Sequence, residues 1–317
     1  MAETKSEWFI IVNPHAGSGK TISEWSVAQK YLDSTGSAYR AVLTNHKSHA
    51  TALAFSAAAE GYRRIMAVGG DGTFHEIYSG ILRWCTESGT DPREFCAGVF
   101  PIGSGNDWIK SVGIPHDHKQ VCDLMLSESF REQDVIGVSC SDGTTYMANI
   151  GGIGFDSRVC ERVNRLKEAG RRSKLIYLNA LLYTIRGMKS MNVQILADGE
   201  EVFTGECLSV ALGNGRYSGG GMLQVPIARI DDGLLDVMIV PKQKIGSILK
   251  CLPKLFSGDL NESPQVRYLR CKHFQMLPLD SASTEIFEVD GEIEGRLPIS
   301  VDVTGERINV LATPQKA

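Results

Sequence analysis

Two hydrophobic rhythms divide the chain. Over roughly the first 135 residues, short apolar runs alternate with longer stretches of helical period, the pattern of strands and helices taken in turn. Residues 9–12 (FIIV) read as a buried strand and 18–32 as a helix. Residues 39–43 read as the second strand, followed by the Ala-rich helix HATALAFSAAAEG ending at Gly61. Residues 64–68 form a third strand before GGDG and a helix, and 97–101 a fourth before GSGND and a helical stretch. Strand–helix alternation predicts a parallel sheet covered by helices. Further on the period shortens, and short strands are separated by turn pairs: CSDGTTY, LADGEEV, LGNGRYS, IDDGLLD and EVDGEIEG. That spacing predicts an antiparallel β-sandwich or barrel, interrupted by a helical insert at 157–189. The expected organisation is an α/β domain over 1–136 and a β-sandwich domain over 137–304, with the cleft between them as the default active site.

Composition narrows the class. A chain of 317 residues exceeds one ordinary domain and fits two; 43% apolar and 22% charged residues fit a soluble globular protein. The net charge of −4 lends no electrostatic support to a nucleic-acid partner. MAETKSEW lacks the basic-then-apolar pattern of a secretion signal, and the longest apolar stretch, LIYLNALLYTI, is too short to span a bilayer. The 8 cysteines form no CxxC, so they read as reduced core residues of a cytosolic protein and not as a zinc site.

The first candidate for phosphate chemistry, NPHAGSGKT at 13–21, is not a Walker loop. The glycine required five residues before Gly19-Lys20 is Pro14, which has no N–H to offer. AVGGDGTFHEI is stronger. A strand runs into Gly69-Gly70-Asp71-Gly72-Thr73 and then a helix, so backbone N–H groups and a helix N-terminus converge on an anion. Asp71 among them suits a Mg²⁺ ion that touches the phosphate, or else a helix cap. IGSGND, containing Ser104 and Asp107, also follows a strand and is expected at the same sheet edge. Thr44 ends the second strand, either at that edge or as a helix cap. GxGxxG fails at His75 and at Trp108, which disfavours a dinucleotide site, and HExxH fails at Ser79. Near the other end, the Asp-Gly of FEVDGE reads as a hairpin tip, or as a place for a carboxylate that takes the proton of an attacking hydroxyl.

Taken in order, NPHAGSGK, GGDGTFHE, PIGSGND, IDDGLLD and VDGE resemble the diacylglycerol kinase catalytic family, which includes bacterial lipid kinases and is related to sphingosine and ceramide kinases. The resemblance implies an NAD-kinase/diacylglycerol-kinase-like fold in which 305–317 pack back on the first domain. It implies ATP contacts at Asn13, Pro14, His15, Ala16, Gly17, Thr44, Gly70, Asp71, Gly72, Thr73, Phe74, His75, Glu76 and Ser104. It implies Asp71 as the magnesium-linked aspartate with Asp107 nearby, Glu292 as catalytic base, and a structural divalent ion at Arg229 (carbonyl), Asp232 and Leu234 (carbonyl). The activity implied is ATP- and Mg²⁺-dependent phosphorylation of a lipid hydroxyl, most readily diacylglycerol. Sphingoid-base, ceramide and phosphatidylglycerol acceptors stay open, as do a soluble NAD-kinase-like activity and a non-catalytic sensor. His75 stands where bacterial diacylglycerol kinases usually have Asn, as it does in sphingosine kinases, and GSGN is shared with sphingosine kinases too.

A lipid kinase has to reach a bilayer, and the expected location is the cytoplasm, peripheral at the inner membrane surface. Residues 158–189 carry nine Lys/Arg against two Glu, beside a stripe of Val159, Val163 and Leu166. This reads either as a surface for an anionic leaflet, with Arg171 and Arg172 as its test, or as the solvated face of a packing helix. The oligomeric state, a homodimer included, stays open.

Overall fold

The computed structural model describes residues 3–103, 105–169, 176–280, 283 and 285–314. Ser104, Arg171, Arg172 and Lys174 therefore lie outside the described residues. The chain forms two compact units, 1–135 with 305–317, and 136–304.

The first unit begins with β1 (Lys5–Val12), α1 (Thr21–Thr35), β2 (Tyr39–Leu43), α2 (His49–Ala59), β3 (Tyr62–Gly69), α3 (Asp71–Ser88) and β4 (Cys96–Pro101). Two shorter helices follow, α4 (Trp108–Val112) and α5 (His118–Leu126), and then β5 (Phe130–Cys140), along which the chain enters the second unit. β2, β1, β3 and β4 pair in that order, all parallel. Their residues Ile10, Ile11, Ile65, Met66 and Ala67 are fully buried, as expected for parallel strands covered on both faces. α1 starts three residues later than the apolar period suggests. Gly17 at φ +55° and Gly19 at φ +84° hold 17–19 in a 3₁₀ turn, and the α-helix begins only at Thr21. α2 packs against α3 at very short range: a Cβ on Gly80 would lie 2.4 Å from the Thr51 carbonyl oxygen. That approach explains why the buried face of α2 is Ala50, Ala54, Ala57 and Ala58.

The second unit contains β6 (Gly143–Met147), β7 (Ile150–Gly154), α6 (Phe155–Glu168), α7 (Ile176–Arg186), β8 (Met191–Ala197), β9 (Glu200–Gly213) and the short ribbon β10 (Tyr217–Ser218) with β11 (Met222–Leu223). It continues with β12 (Leu235–Pro241), α8 (Ile245–Cys251), α9 (Lys254–Ser257), β13 (Arg267–Cys271), β14 (His273–Pro278), β15 (Ile286–Val289), β16 (Glu292–Arg296) and the first part of β17 (Ile299–Leu311). Its strands pair antiparallel throughout. At two of the hairpins the Asp-Gly pair takes positive φ at both residues, Asp198-Gly199 (51° and 84°) and Asp290-Gly291 (52° and 90°), which matches the right-handed twist of the paired strands.

One apolar cluster forms the core of this unit, with Val210, Leu212, Val237 and Ile239 among its members. The intervening Ala211 and Met238 enter a second cluster with Ile150, Val225 and Leu260. β9 and β12 are thus buried on both faces, which is why LSVALG and LLDVMIV lack the polar alternation of a half-exposed strand.

The helical insert resolves into α6 and α7. Val159 and Val163 on α6 pack with Ile176 and Ala180 on α7, and Leu166 lies against the same cluster. Of the two readings of the stripe, the structure shows the packing helix: Val159, Val163 and Leu166 form a helix–helix interface. Its basic neighbours are also engaged: Arg158 with Glu285 and the Lys189 carbonyl, Arg165 with Glu161, and Arg162 over the Tyr183 ring at 3.4 Å. Among the described residues, no helix is long and apolar enough to cross a membrane. All eight cysteines are free, and burial pushes the Cys85, Cys122, Cys207 and Cys271 thiols up to about 12, as suits core fillers.

Candidate active site

In the first unit the candidate ligand-facing residues lie at the carboxyl ends of parallel strands. β1 ends at Val12, and Asn13 bonds the neighbouring strand end through its N–H to the Val68 carbonyl at 3.0 Å. The Asn13 amide donates to Thr73 Oγ1 at 3.0 Å, and its oxygen accepts the His15 N–H at 3.0 Å. The turn is pressed onto the next motif, since a Cβ on Gly17 would meet Ile102 at 2.8 Å. Thr44 at the end of β2 donates its N–H to the Val12 carbonyl. Asn13–Gly17, Thr44 and the GGDG turn thus occupy adjacent strand ends.

β3 ends at Gly69, Gly70 is the helix N-cap, and Asp71 opens α3. Gly69 has no room for a side chain: its Cβ would lie 2.5 Å from Thr73 Oγ1. The turn after β4 comes equally close, because a Cβ on Gly103 would lie 2.8 Å from the Gly70 Cα and 2.4 Å from Asn106 Oδ1. Two glycine turns therefore meet backbone to backbone, as residues with side chains could not. The N-cap of α3 is Gly70, which has no side chain to cap the helix, and a helix N-terminus of this kind suits an anion. At the same seam Asn106 Oδ1 is buried and has no hydrogen-bond partner among the described residues.

Asp71 does not cap its own helix. Its carboxylate accepts the N–H of Asp107 (3.0 and 3.1 Å) and of Trp108 (3.2 Å), fastening the start of α4 to the GGDG turn. Trp108 stacks on Phe74, with ring centroids 3.8 Å apart, and its indole N–H reaches Gln133. Asp107 pairs with Lys110 at 2.6 Å. Phe74 and His75 are buried, so only the backbone of that turn can present them to a nucleotide. Glu76 is turned to α2, where its carboxylate accepts the Ser48 and Ala50 N–H groups at 3.0 Å each. That placement makes it the cap of a neighbouring helix.

A magnesium ion commonly takes one or two protein carboxylates, several waters and the substrate phosphates. Asp71 and Asp107, joined by a hydrogen bond beside an orphaned acceptor, fit that mode. Of the three residues implied for a structural ion, the one side-chain ligand is already engaged. Asp232 pairs with the guanidinium of Arg270, which also holds Asp236 at 3.0 Å, and Asp232 accepts the Leu234 N–H. The Arg229 side chain pairs with Asp231. Among the described residues no three His, Cys, Asp or Glu side chains gather as a metal cage.

In the second unit, Asp290 and Gly291 form the tip of the β15–β16 hairpin. Asp290 accepts the N–H groups of Ala148, Asn149 and Ile150 at 2.8–3.1 Å, tying the tip to the start of β7. Asn164 of α6 covers the tip, donating to the Gly291 carbonyl at 3.1 Å. Glu292 is the first residue of β16 and is half-buried. Sequence reasoning passed over Asp156, whose carboxylate accepts from Ser209 (2.7 Å) and Gln224 (2.8 Å). Burial pushes its carboxyl up to about 6 against those two hydrogen bonds. No motif marks it, because its partners lie 53 and 68 residues away.

Comparison with known proteins follows the same division. The family model "Diacylglycerol kinase catalytic domain" matches residues 7–138, and "YegS C-terminal NAD kinase beta sandwich-like domain" matches 150–312. A Xanthomonas campestris pv. campestris protein named "Probable lipid kinase YegS-like" is 26% identical, with 96% of each chain covered. A diacylglycerol kinase of Staphylococcus aureus (strain MRSA252) is 28% identical over 96% of this chain and 91% of its own. A crystal structure titled as a diacylglycerol kinase from Bacillus anthracis str. Sterne shares the fold, with a TM-score of 0.75 at 23% identity over 97% of each chain. Two family models laid end to end over nearly the whole chain place it plainly: it belongs to the diacylglycerol kinase catalytic family, a family of lipid kinases.

Proposed function

We propose that this protein transfers the γ-phosphoryl group of ATP, with Mg²⁺, to the hydroxyl of a membrane lipid, diacylglycerol first among them, giving phosphatidic acid and ADP. The observation that carries the reading is the glycine N-cap of α3 at the seam where the Gly70 and Gly103 turns meet. Helix N-termini and glycine backbones recognise phosphate through N–H groups and the helix dipole.

In this reading the first-turn N–H groups of α3 and the Asn13–Gly17 turn hold the triphosphate. Asp71 and Asp107 would hold the magnesium, which neutralises charge on the phosphate oxygens when bound. The lipid hydroxyl oxygen attacks the γ-phosphorus, the bond to the ADP oxygen breaks, and the hydroxyl proton goes to Glu292. Phosphoryl transfer draws mainly on positioning and charge neutralisation, and a general base adds about 10²–10⁴-fold. The relatives named as diacylglycerol kinases favour that acceptor. His75 does not speak for a sphingoid base, because its side chain is buried in the GGDG helix.

The test is transfer from labelled ATP to diacylglycerol, ceramide, sphingosine and phosphatidylglycerol in mixed micelles, with Glu292→Gln beside the wild type. A labelled lipid that falls by about 10²-fold or more in the variant, with ATP still bound, is expected. Wild-type turnover in Glu292→Gln removes the base, and no labelled lipid at all removes the reading.

A further inference from the structure

α6 and α7 pack one apolar stripe on each other. The outer side of α7 exposes Leu178 and Leu182 with no Lys or Arg over 175–185, so the question is where apolar surface and positive charge meet. The segment 242–256, KQKIGSILKCLPKLF, answers it from a different part of the second unit. It holds four lysines and no acid in a chain whose net charge is −4. Helical backbone continues from α8 into α9, with Leu252 at φ −54°, ψ −44° and Pro253 at φ −60°, ψ −33°. One side of this helical stretch is used internally: Cys251 and Leu255, four residues apart, pack on the cluster of Ile150, Ala211, Met238 and Leu260.

The other side is apolar and faces solvent. Ile245, Leu249 and Phe256 are 49%, 46% and 59% exposed, and with half-buried Leu252 they stand at i, i+4, i+7 and i+11. That spacing makes one continuous stripe along a helix. Neither α8 nor α9 buries a single residue fully. Lys244, Lys250 and Lys254 enter no ion pair among the described residues, whereas Lys242 pairs with Glu206. At the amino end of α8 an open cavity of about 450 Å³ adds Lys189 and Met188 beside Lys242, Leu208 and Ile245.

We propose that α8 and α9 are the element by which this protein docks on an anionic bilayer, with Ile245, Leu249 and Phe256 entering the headgroup boundary and Lys244, Lys250 and Lys254 facing lipid phosphates. An amphipathic helix rich in Lys on its polar side and in Leu and aromatic residues on its apolar side lies in the interface plane in this way, and long Lys stems allow the ammonium groups to reach back to the headgroups. Charge chooses the occupant. Two copies of this chain joined symmetrically through the stripe would set lysines against lysines, whereas an anionic leaflet complements them. The proposal rests on the lipid-kinase reading for its purpose, though not for its measurement.

Co-sedimentation with vesicles of phosphatidylcholine, with and without phosphatidylglycerol, tests it in the absence of ATP. The wild type is expected to partition to the anionic vesicles. The double variant Leu249→Glu with Phe256→Glu should lower the partition by roughly tenfold or more. Reversing Lys244, Lys250 and Lys254 to Glu should lower it by about fivefold or more per position on anionic vesicles only. This charge variant also reads the surface if the apolar one folds poorly, and melting curves check both. Leu178→Glu with Leu182→Glu, on the exposed side of α7, should leave binding unchanged. The proposal is overturned if the α8–α9 variants bind as the wild type does, if the α7 variant alone loses binding, or if the wild type is a dimer that Leu249→Glu with Phe256→Glu dissociates while vesicle binding persists. Phosphoryl transfer in micelles, run alongside, separates the two readings. Vesicle binding without lipid product spares the docking surface, and lipid product with unaltered vesicle binding in the α8–α9 variants spares the kinase.

Discussion

Asp71 and Asp290 sit among glycines in the two motifs that carry the chemistry, and both commit their carboxylates to backbone N–H groups. Each sets a loop in place, Asp71 the start of α4 and Asp290 the start of β7. Asp156 is a different kind of carboxylate. Burial raises it from 3.8 to about 6, so the folded chain binds its proton more tightly than the unfolded chain does. A raised carboxyl contributes stability below its unfolded pKa, and that contribution is lost as pH rises through the folded value. Asp156→Asn, which keeps an acceptor for Ser209 and Gln224, should therefore gain on the wild type between about pH 4 and pH 6, by about 3 kcal/mol. Urea unfolding of both proteins across that range measures it; parallel curves would show that Asp156 does not titrate there.

At the scale of an element, the loop 229–236 sets a guanidinium against the one carboxylate implied as an ion ligand. Arg270 on β13 lies between Asp232 and the fully buried Asp236 on β12, with which it is in register. A guanidinium already neutralises the carboxylate that a divalent ion would need. Chelator should accordingly leave the melting temperature where it is. Arg270→Ala strands the Asp236 charge in the sheet and should cost about 3 kcal/mol. A chelator-induced fall in melting temperature would show that a cation holds this loop after all. The same caution applies to α6 and α7, where basic residues next to an apolar stripe suggest a membrane surface, until the stripe is seen packed between the two helices.

Across the whole molecule, the chain's last strand closes the first unit. The end of β17 pairs parallel to β4, with Asn309 opposite Cys96 and Val310 opposite Ala97. Arg307 anchors that return to β5, bonding Asp134 at 2.9 Å and Glu132 at 3.0 Å. Asp134 is buried, and Glu132 is held below its ordinary range by the hydrogen bond from Arg307. Arg307→Ala leaves a buried carboxylate without its guanidinium. It should destabilise the fold by about 2–3 kcal/mol, discounted because Arg307 is itself partly exposed. Urea denaturation gives the value, and a loss within experimental error would mean that water replaces the guanidinium at Asp134.

What the sequence determined by itself is local. Alternating apolar runs and helical stretches specify the parallel sheet, and Asp-Gly pairs specify hairpins, because both depend on the φ preferences and hydrophobic period of a few adjacent residues. The motifs NPHAGSGK, GGDG and VDGE are legible for the same reason: each is a turn that only its glycines permit. The tertiary structure decided what those residues touch. Asp71 finds its amides 36 and 37 residues away, Arg270 meets Asp232 across 38, and Arg307 meets Asp134 across 173. It also decided that Val159 and Val163 are covered while Ile245, Leu249 and Phe256 are not. Periodicity marks an apolar face, but only the rest of the chain, folded, supplies or withholds the surface that buries it.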